Sequence, residues 1–116
     1  MVTRISYHFN LKGPVFHIDT ACASSFCSFH EAVMAVKTGY CEQAIVTGSN
    51  TCFQPFVSSQ MQDLHMISPN GASKALDSSA DGYARSEAVV VALIQRRKDA
   101  KRIYATVLNS KSNCDG

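Results

Sequence analysis

A thiol set among small residues, Asp19-Thr20-Ala21-Cys22-Ala23-Ser24-Ser25, is the segment of this chain best suited to covalent chemistry. Gly13-Pro14 is a turn signal, and Val15 to Asp19 after it has the β-branched and aromatic content of a short strand. At Thr20 the period changes to a helical one, so Cys22 is expected where a buried strand meets a buried helix. Unsatisfied backbone N–H groups and the positive end of the helix dipole favour negative charge there, on a sulfur or on an oxyanion. Small neighbours leave room for a substrate to reach the sulfur. The same placement suits a packing cysteine, since cysteine is among the most buried residue types. Spacing alone leaves both readings open.

The other reactive side chains stand in plainer contexts. Of the four histidines, His17 alternates within the expected strand and His30 lies two helical turns beyond Cys22, while His8 and His65 lie apart from both. A satisfied structural role is the default for each. Glu87 and Asp77 could be mistaken for a general acid/base pair and are expected to order loops and caps instead. Ser24 and Ser25 are expected to cap or line the helix start. Cys27 is rotated away from Cys22 on the helix and reads as core, and Cys41, Cys52 and Cys114 read as packing or incidental residues. Five cysteines without C-x-x-C spacing suggest reduced thiols, with neither a disulfide framework nor a metal site. Phe53, Phe56, Met61, Met66 and Ile67 could line an apolar path or serve as a lid on the core.

The elements that must position Cys22 follow from periodicity. From Ala23 to Lys37, Phe26, Phe29, Val33 and Val36 recur at helical spacing, and Cys27, Ala32, Met34 and Ala35 make most of the remaining surface apolar. A helix apolar nearly all round is a buried one. Lys37 and Gly39 supply its stop. Ala44 to Thr47 reads as a strand running into Gly48-Ser49-Asn50. Residues 51 to 86 form a long, weakly periodic stretch with turn signals at Ser68-Pro69-Asn70-Gly71 and Asp81-Gly82. Ala88 to Gln95 and Ile103 to Asn109 are two further expected strands, as a hairpin or as neighbours in one sheet. This order predicts an α/β architecture with a mixed sheet and a buried central helix.

With 116 residues, 46% hydrophobic and 17% charged, and with no repeat or linker, the chain is one globular unit or part of one. A formal charge of +2 lacks the basic excess of a nucleic-acid binder. The basic run Arg96-Arg97-Lys98 with Lys101-Arg102 reads as a solvated turn. Residues 1 to 14 contain no secretory h-region, and the longest apolar run, Ala88 to Ile94, is about a third of a membrane span. A soluble, intracellular protein is expected.

Several segments in order carry a family resemblance. Asp19-Thr20-Ala21-Cys22-Ala23-Ser24-Ser25 resembles the active-site signature of β-ketoacyl synthases. Arg4-Ile5-Ser6-Tyr7 and Gly13-Pro14 precede it at the family's distance. Ala44 to Asn50 is similar to the family's Ala-hydrophobic-Val-Gly-Gly-x-Asn strand end, and Ile67 to Asp77 to its Leu-Ser-Pro-Asp-Gly-x-x-Lys-x-Phe-Asp segment. Arg85-Ser86-Glu87-Ala88, where polyketide synthases more often have Arg-Gly-Glu-Gly, resembles animal fatty acid synthases, insect ones included, as do Ala100 to Val107 and Asn113-Cys114-Asp115-Gly116. Two departures stand out: Thr47 and Ser49 bracket a single Gly48 where the family often has two glycines, and His65 replaces a small residue.

The resemblance implies that residues 1 to 116 are part of a β-ketoacyl synthase domain with a partial thiolase-like α/β fold. Cys22 would accept an acyl group from a phosphopantetheine thioester, and a malonyl thioester would then condense with it as carbon dioxide leaves. No cofactor is expected to bind directly; phosphopantetheine arrives as the substrate carrier. An acyl carrier protein domain and a homodimer mate are the implied partners, and the cytoplasm the implied compartment. The family's His-Gly-Thr-Gly-Thr and Asn-Ile-Gly-His segments, which serve decarboxylation, are not among these residues. Residues 1 to 116 alone are therefore expected to show no malonyl-dependent condensation. A polyketide synthase, another thiolase-superfamily acyltransferase, and a non-catalytic piece serving carrier docking or, through residues 15 to 19, dimerisation are the alternative readings.

Overall fold

The computed structural model describes residues 2 to 114, and these divide into two compact units, one of residues up to 48 together with those from 90 on, the other of residues 49–89. Among the described residues, three helices, α1 (Val2–His8), α2 (Ser24–Thr38) and α3 (Pro55–Asp63), and two strands, β1 (Gln43–Asn50) and β2 (Ala88–Gln95), make up the regular structure with two short 3₁₀ turns. The two strands pair with each other in one sheet.

In the first unit, α2 covers almost the span that its periodicity predicts. It stops because Gly39 takes a left-handed conformation at φ 80° and returns its N–H to the Val36 carbonyl. Val36 on α2 and Val46 on β1 are the buried apolar residues of this unit. The all-round apolar character of α2 is only partly used within the chain, for Cys27, Phe29, Ala32, Val33 and Ala35 are half-buried and Phe26 is 79% exposed. Gly48 explains how β1 and the start of α2 come so close, because a Cβ built there would stand 2.8 Å from the Ser25 Cβ. A single glycine at this point of the strand is enough for the approach.

In the second unit, the stretch expected to be irregular contains α3. Pro55 opens it at the first turn, where a missing N–H costs nothing. His65 closes it in a left-handed conformation at φ 56°, with the Met66 N–H donating to the Met61 carbonyl. The departure at His65 thus falls on a helix stop. Beyond it, Ser68 donates its N–H to the Tyr83 carbonyl while Tyr83 donates to the Met66 carbonyl, forming a parallel bridge between Ile67 and Tyr83. Gly82 makes that bridge possible, since a Cβ there would meet the Ser68 nitrogen at 2.5 Å. The buried Ser68 hydroxyl donates to Asp81, and Lys74 pairs with the other oxygen of the same carboxylate at 2.9 Å. Both turn signals of this stretch are therefore tied together.

Two expected strands are corrected. Residues 15 to 19 and 103 to 109 carry no ladder, and the hairpin across the basic turn does not form; β2 pairs with β1 instead. β-branched and aromatic content marks a surface that fits a sheet, and it becomes a strand only where a partner supplies cross-strand contacts. Val15, Phe16, Tyr104 and Leu108 are exposed, without such a partner among the described residues. The basic turn is solvated as expected, with a 3₁₀ turn at Arg97–Asp99 and Arg102 stacked 4.8 Å from the Tyr104 ring.

Candidate active site

Cys22 lies in the 3₁₀ turn Ala21–Ala23 that leads directly into α2, and it is exposed. The helix expected after it is present, and the segment before it is irregular rather than a strand. Ala21 adopts a left-handed backbone at φ 53°, a conformation that crowds the Cβ of any residue but glycine. The chain thus bends sharply one residue before the sulfur.

The side chains around Cys22 hold that bend. Asp19 Oδ1 accepts the Ala21 N–H at 3.0 Å, and Ser24 Oγ donates to the Ala21 carbonyl at 2.6 Å while accepting the Thr20 N–H at 2.9 Å. Of the two roles expected of it, Ser24 lines the start of α2 rather than capping it; the N-cap is Ala23, which has no side-chain bond to give. Ser25 lines the contact with Gly48. Thr20 Oγ1 donates to Cys27 Sγ at 3.2 Å, so Cys27 steadies the turn from one helical step along.

Three of the histidines make local structural contacts or end an element, and His17 makes none among the described residues. His30 Nδ1 bonds to Ser110 Oγ at 2.9 Å, His8 meets the Phe9 ring edge-on, His65 ends α3 and His17 is exposed in the irregular segment. Asp77 accepts the Ser79 N–H at 2.8 Å, which holds its carboxyl below the ordinary aspartate value. Glu87 accepts the Cys52 N–H, and Asn50 donates to the Ser86 carbonyl, each at 2.6 Å. The carboxylates order loops, as expected.

All five thiols are free. Cys52 has a more specific setting than the packing role expected of it. The Arg85 guanidinium donates to its sulfur at 3.5 Å, in an open cavity of about 310 Å³ also lined by Asn50, Thr51, Phe53, Gln54 and Val57. That bond is the first cause of the upward shift of the Arg85 pKa, followed by opposing burial and a bond to Tyr83. Sequence spacing could not reveal the pair, because 33 residues separate its members. Of the residues considered for an apolar path, Phe53 lines this cavity, Phe53, Phe56 and Met66 are exposed, and Met61 and Ile67 are half-buried. Among the described residues no helix is long and apolar enough to cross a membrane.

The model of the family described as "Beta-ketoacyl synthase, N-terminal domain" matches residues 1–100. The chain is 50% identical over 113 residues to a fatty acid synthase of Anser anser anser, covering 97% of this chain and 32% of that protein. It is 44% identical over 117 residues to the highly reducing polyketide synthase gloL of Glarea lozoyensis, covering 97% of this chain and 5% of that protein. Among solved structures, the ketosynthase from module 6 of the bacillaene synthase of Bacillus subtilis 168 is similar at a TM-score of 0.80 and 37% identity, over 86% of this chain and 18% of that one. The chain thus spans a third or less of the length of these relatives. Its mixed α/β elements are part of the thiolase-like fold of ketosynthases.

Proposed function

As this chain belongs to the β-ketoacyl synthase N-terminal domain family, we propose that Cys22 is the acyl acceptor of a β-ketoacyl synthase of the fatty acid synthase type, with residues 1 to 116 forming part of that domain. The observation that carries this reading is an exposed thiol in a bent turn at the start of α2. There the thiol is open to solvent, and the positive end of a helix favours charge that develops beside it.

In the proposed reaction the Cys22 thiolate attacks the carbonyl carbon of an acyl-phosphopantetheine thioester. A C–S bond forms to Cys22, negative charge collects on the carbonyl oxygen, and the backbone N–H of Cys22 helps to stabilise it. The oxyanion then collapses, the carbon–sulfur bond to the carrier breaks, and the carrier leaves as its thiolate. In the second half, a malonyl thioester loses carbon dioxide, and its α-carbon attacks the acyl-Cys22 carbonyl, freeing the Cys22 thiolate and a β-ketoacyl thioester two carbons longer. The partners of this reading are an acyl carrier domain and a second copy of the enzyme, and its compartment is the cytoplasm.

The fatty acid synthase type is favoured by Arg85-Ser86-Glu87-Ala88 and by the 50% identity to the goose enzyme. A polyketide synthase is the second reading, favoured by 44% identity to the Glarea lozoyensis protein over the same share of the chain. Exposure to saturated acyl and β-hydroxyacyl thioesters, with the rate of Cys22 acylation measured by mass spectrometry, tests both. Faster acylation by the saturated chain supports the first reading and faster acylation by the hydroxylated chain the second; a Cys22 that takes neither refutes both.

A further inference from the structure

We propose that the Asp19 carboxylate and the Ser24 hydroxyl are positioning residues for Cys22, acting together to hold Ala21 in its left-handed backbone conformation. This rests on the reading of Cys22 as acyl acceptor and names what makes its geometry productive. Ala21 at φ 53° is strained for a residue that has a Cβ, and such a conformation persists only where the surroundings over-determine it.

Both sides of Ala21 are held. Its N–H donates to Asp19 Oδ1 at 3.0 Å, and its carbonyl accepts the Ser24 hydroxyl at 2.6 Å. The same Ser24 oxygen accepts the Thr20 N–H at 2.9 Å and lies 3.5 Å from Asp19 Oδ1, so one network spans residues 19 to 24. Helix capping does not account for it. The N-caps of the 3₁₀ turn and of α2 are Thr20 and Ala23, and neither makes a side-chain cap bond. Asp19 and Ser24 instead direct their bonds to the residue whose dihedrals aim Cys22. Thr20, fixed through its hydroxyl to Cys27 Sγ at 3.2 Å, anchors the network to α2.

Consequences for the chemistry follow. The Cys22 sulfur and N–H must both address one carbonyl group, and misplacement of a reacting atom by about 1 Å costs on the order of 100-fold in rate. Release of Ala21 to a right-handed conformation would re-aim both. Asparagine at position 19 keeps a carbonyl acceptor for the Ala21 N–H, whereas alanine does not. Glycine at position 21 enters the left-handed region without help.

The test compares the purified protein with Asp19→Ala, Asp19→Asn, Ser24→Ala and the double variant Asp19→Ala/Ala21→Gly. Two rates are read by site-resolved mass spectrometry: acylation of Cys22 by a short acyl thioester of N-acetylcysteamine, and alkylation of Cys22 and Cys52 by iodoacetamide. Asp19→Ala and Ser24→Ala are expected to slow both Cys22 reactions roughly 10- to 100-fold, while Cys52 alkylation is unchanged. Asp19→Asn is expected to stay within about threefold of the unaltered protein, and the glycine double variant to recover most of the lost rate. Equal Cys22 rates in Asp19→Ala, an Asp19→Asn as slow as Asp19→Ala, or no recovery with glycine would each overturn the proposal. If Asp19→Ala also changes the Cys52 rate, its fold is lost, and Ser24→Ala with and without Ala21→Gly decides by the same criteria. Should the unaltered protein refuse the acyl thioester while the alkylation pattern holds, the acyl-acceptor reading falls and the positioning network stands.

Discussion

Replacement of Gly48 by alanine adds one carbon to β1, and that carbon would stand 2.8 Å from the Ser25 Cβ, 3.6 Å from its Oγ and 3.9 Å from its Cα. Ordinary Cβ contacts begin near 3.4 Å, so strand and helix must part by about half an ångström before the methyl fits. The opposing atom is a Cβ fixed to the first turn of α2 and cannot swing aside as the end of a long side chain would. Overpacking of this kind costs about 1–3 kcal/mol. With a urea dependence of about 2 kcal/mol per molar for a domain of this size, the unfolding midpoint should fall by roughly 0.5–1.5 M. Ser25 follows Cys22 by three residues, so the displacement also reaches the Cys22 turn, and Cys22 alkylation should change along with stability. Ser25→Gly removes the opposing Cβ at a helix-propensity cost of about 0.5 kcal/mol. In the double variant the two effects should therefore fail to add, leaving a coupling of about 1–2 kcal/mol in favour of the pair. An unchanged midpoint for Gly48→Ala, or strict additivity with Ser25→Gly, would refute this account of how α2 is seated.

Gly82→Ala should be costlier than Gly48→Ala, about 3 kcal/mol or more, because its Cβ meets backbone atoms at 2.5–2.9 Å and its φ of 130° is foreign to alanine; urea unfolding provides the check. Asp81 is held below the ordinary aspartate value of 3.8, first by its bond from Lys74. A depressed folded pKa means that its contribution is present above that value and is lost as pH falls through the folded one. Asp81→Asn should therefore lower the thermal midpoint at neutral pH, and the gap from the unaltered protein should close in acid below the aspartate range. A gap that persists there would show that the Lys74 pair is not its source.

The parts of the fold with strong local signals were legible in the sequence. α2 shows in the recurrence of Phe26, Phe29, Val33 and Val36 with Gly39 as a stop, and β2 shows as an unbroken apolar run from Ala88. α3 escaped because Ser58, Ser59, Gln60 and Gln62 dilute its apolar period, although Pro55 marked its first turn. The segments at 15–19 and 103–109 have strand-like composition without a partner, and composition carries no information about partners.

At the candidate site, residue types and spacing placed Cys22 at the start of a helix, and the ordered motifs indicated a family that the sequence matches bear out. The backbone turn itself was not legible. Nothing in Thr20-Ala21-Cys22 announces a left-handed alanine, because alanine has no intrinsic preference for that region; both of its polar groups are bonded there, to Asp19 and Ser24. The Cys52–Arg85 contact was hidden for a different reason, since loop closure alone brings its members together.

Site-resolved mass spectrometry after brief exposure to an acyl thioester tests the central claim most directly, with Cys22 competing against Cys27, Cys41, Cys52 and Cys114. The account predicts that the acyl group accumulates on Cys22 at least about tenfold faster than on any other thiol and that Cys22→Ala leaves only that slow background. An acyl group spread evenly over the five cysteines, or concentrated on Cys52 beside Arg85, would contradict it.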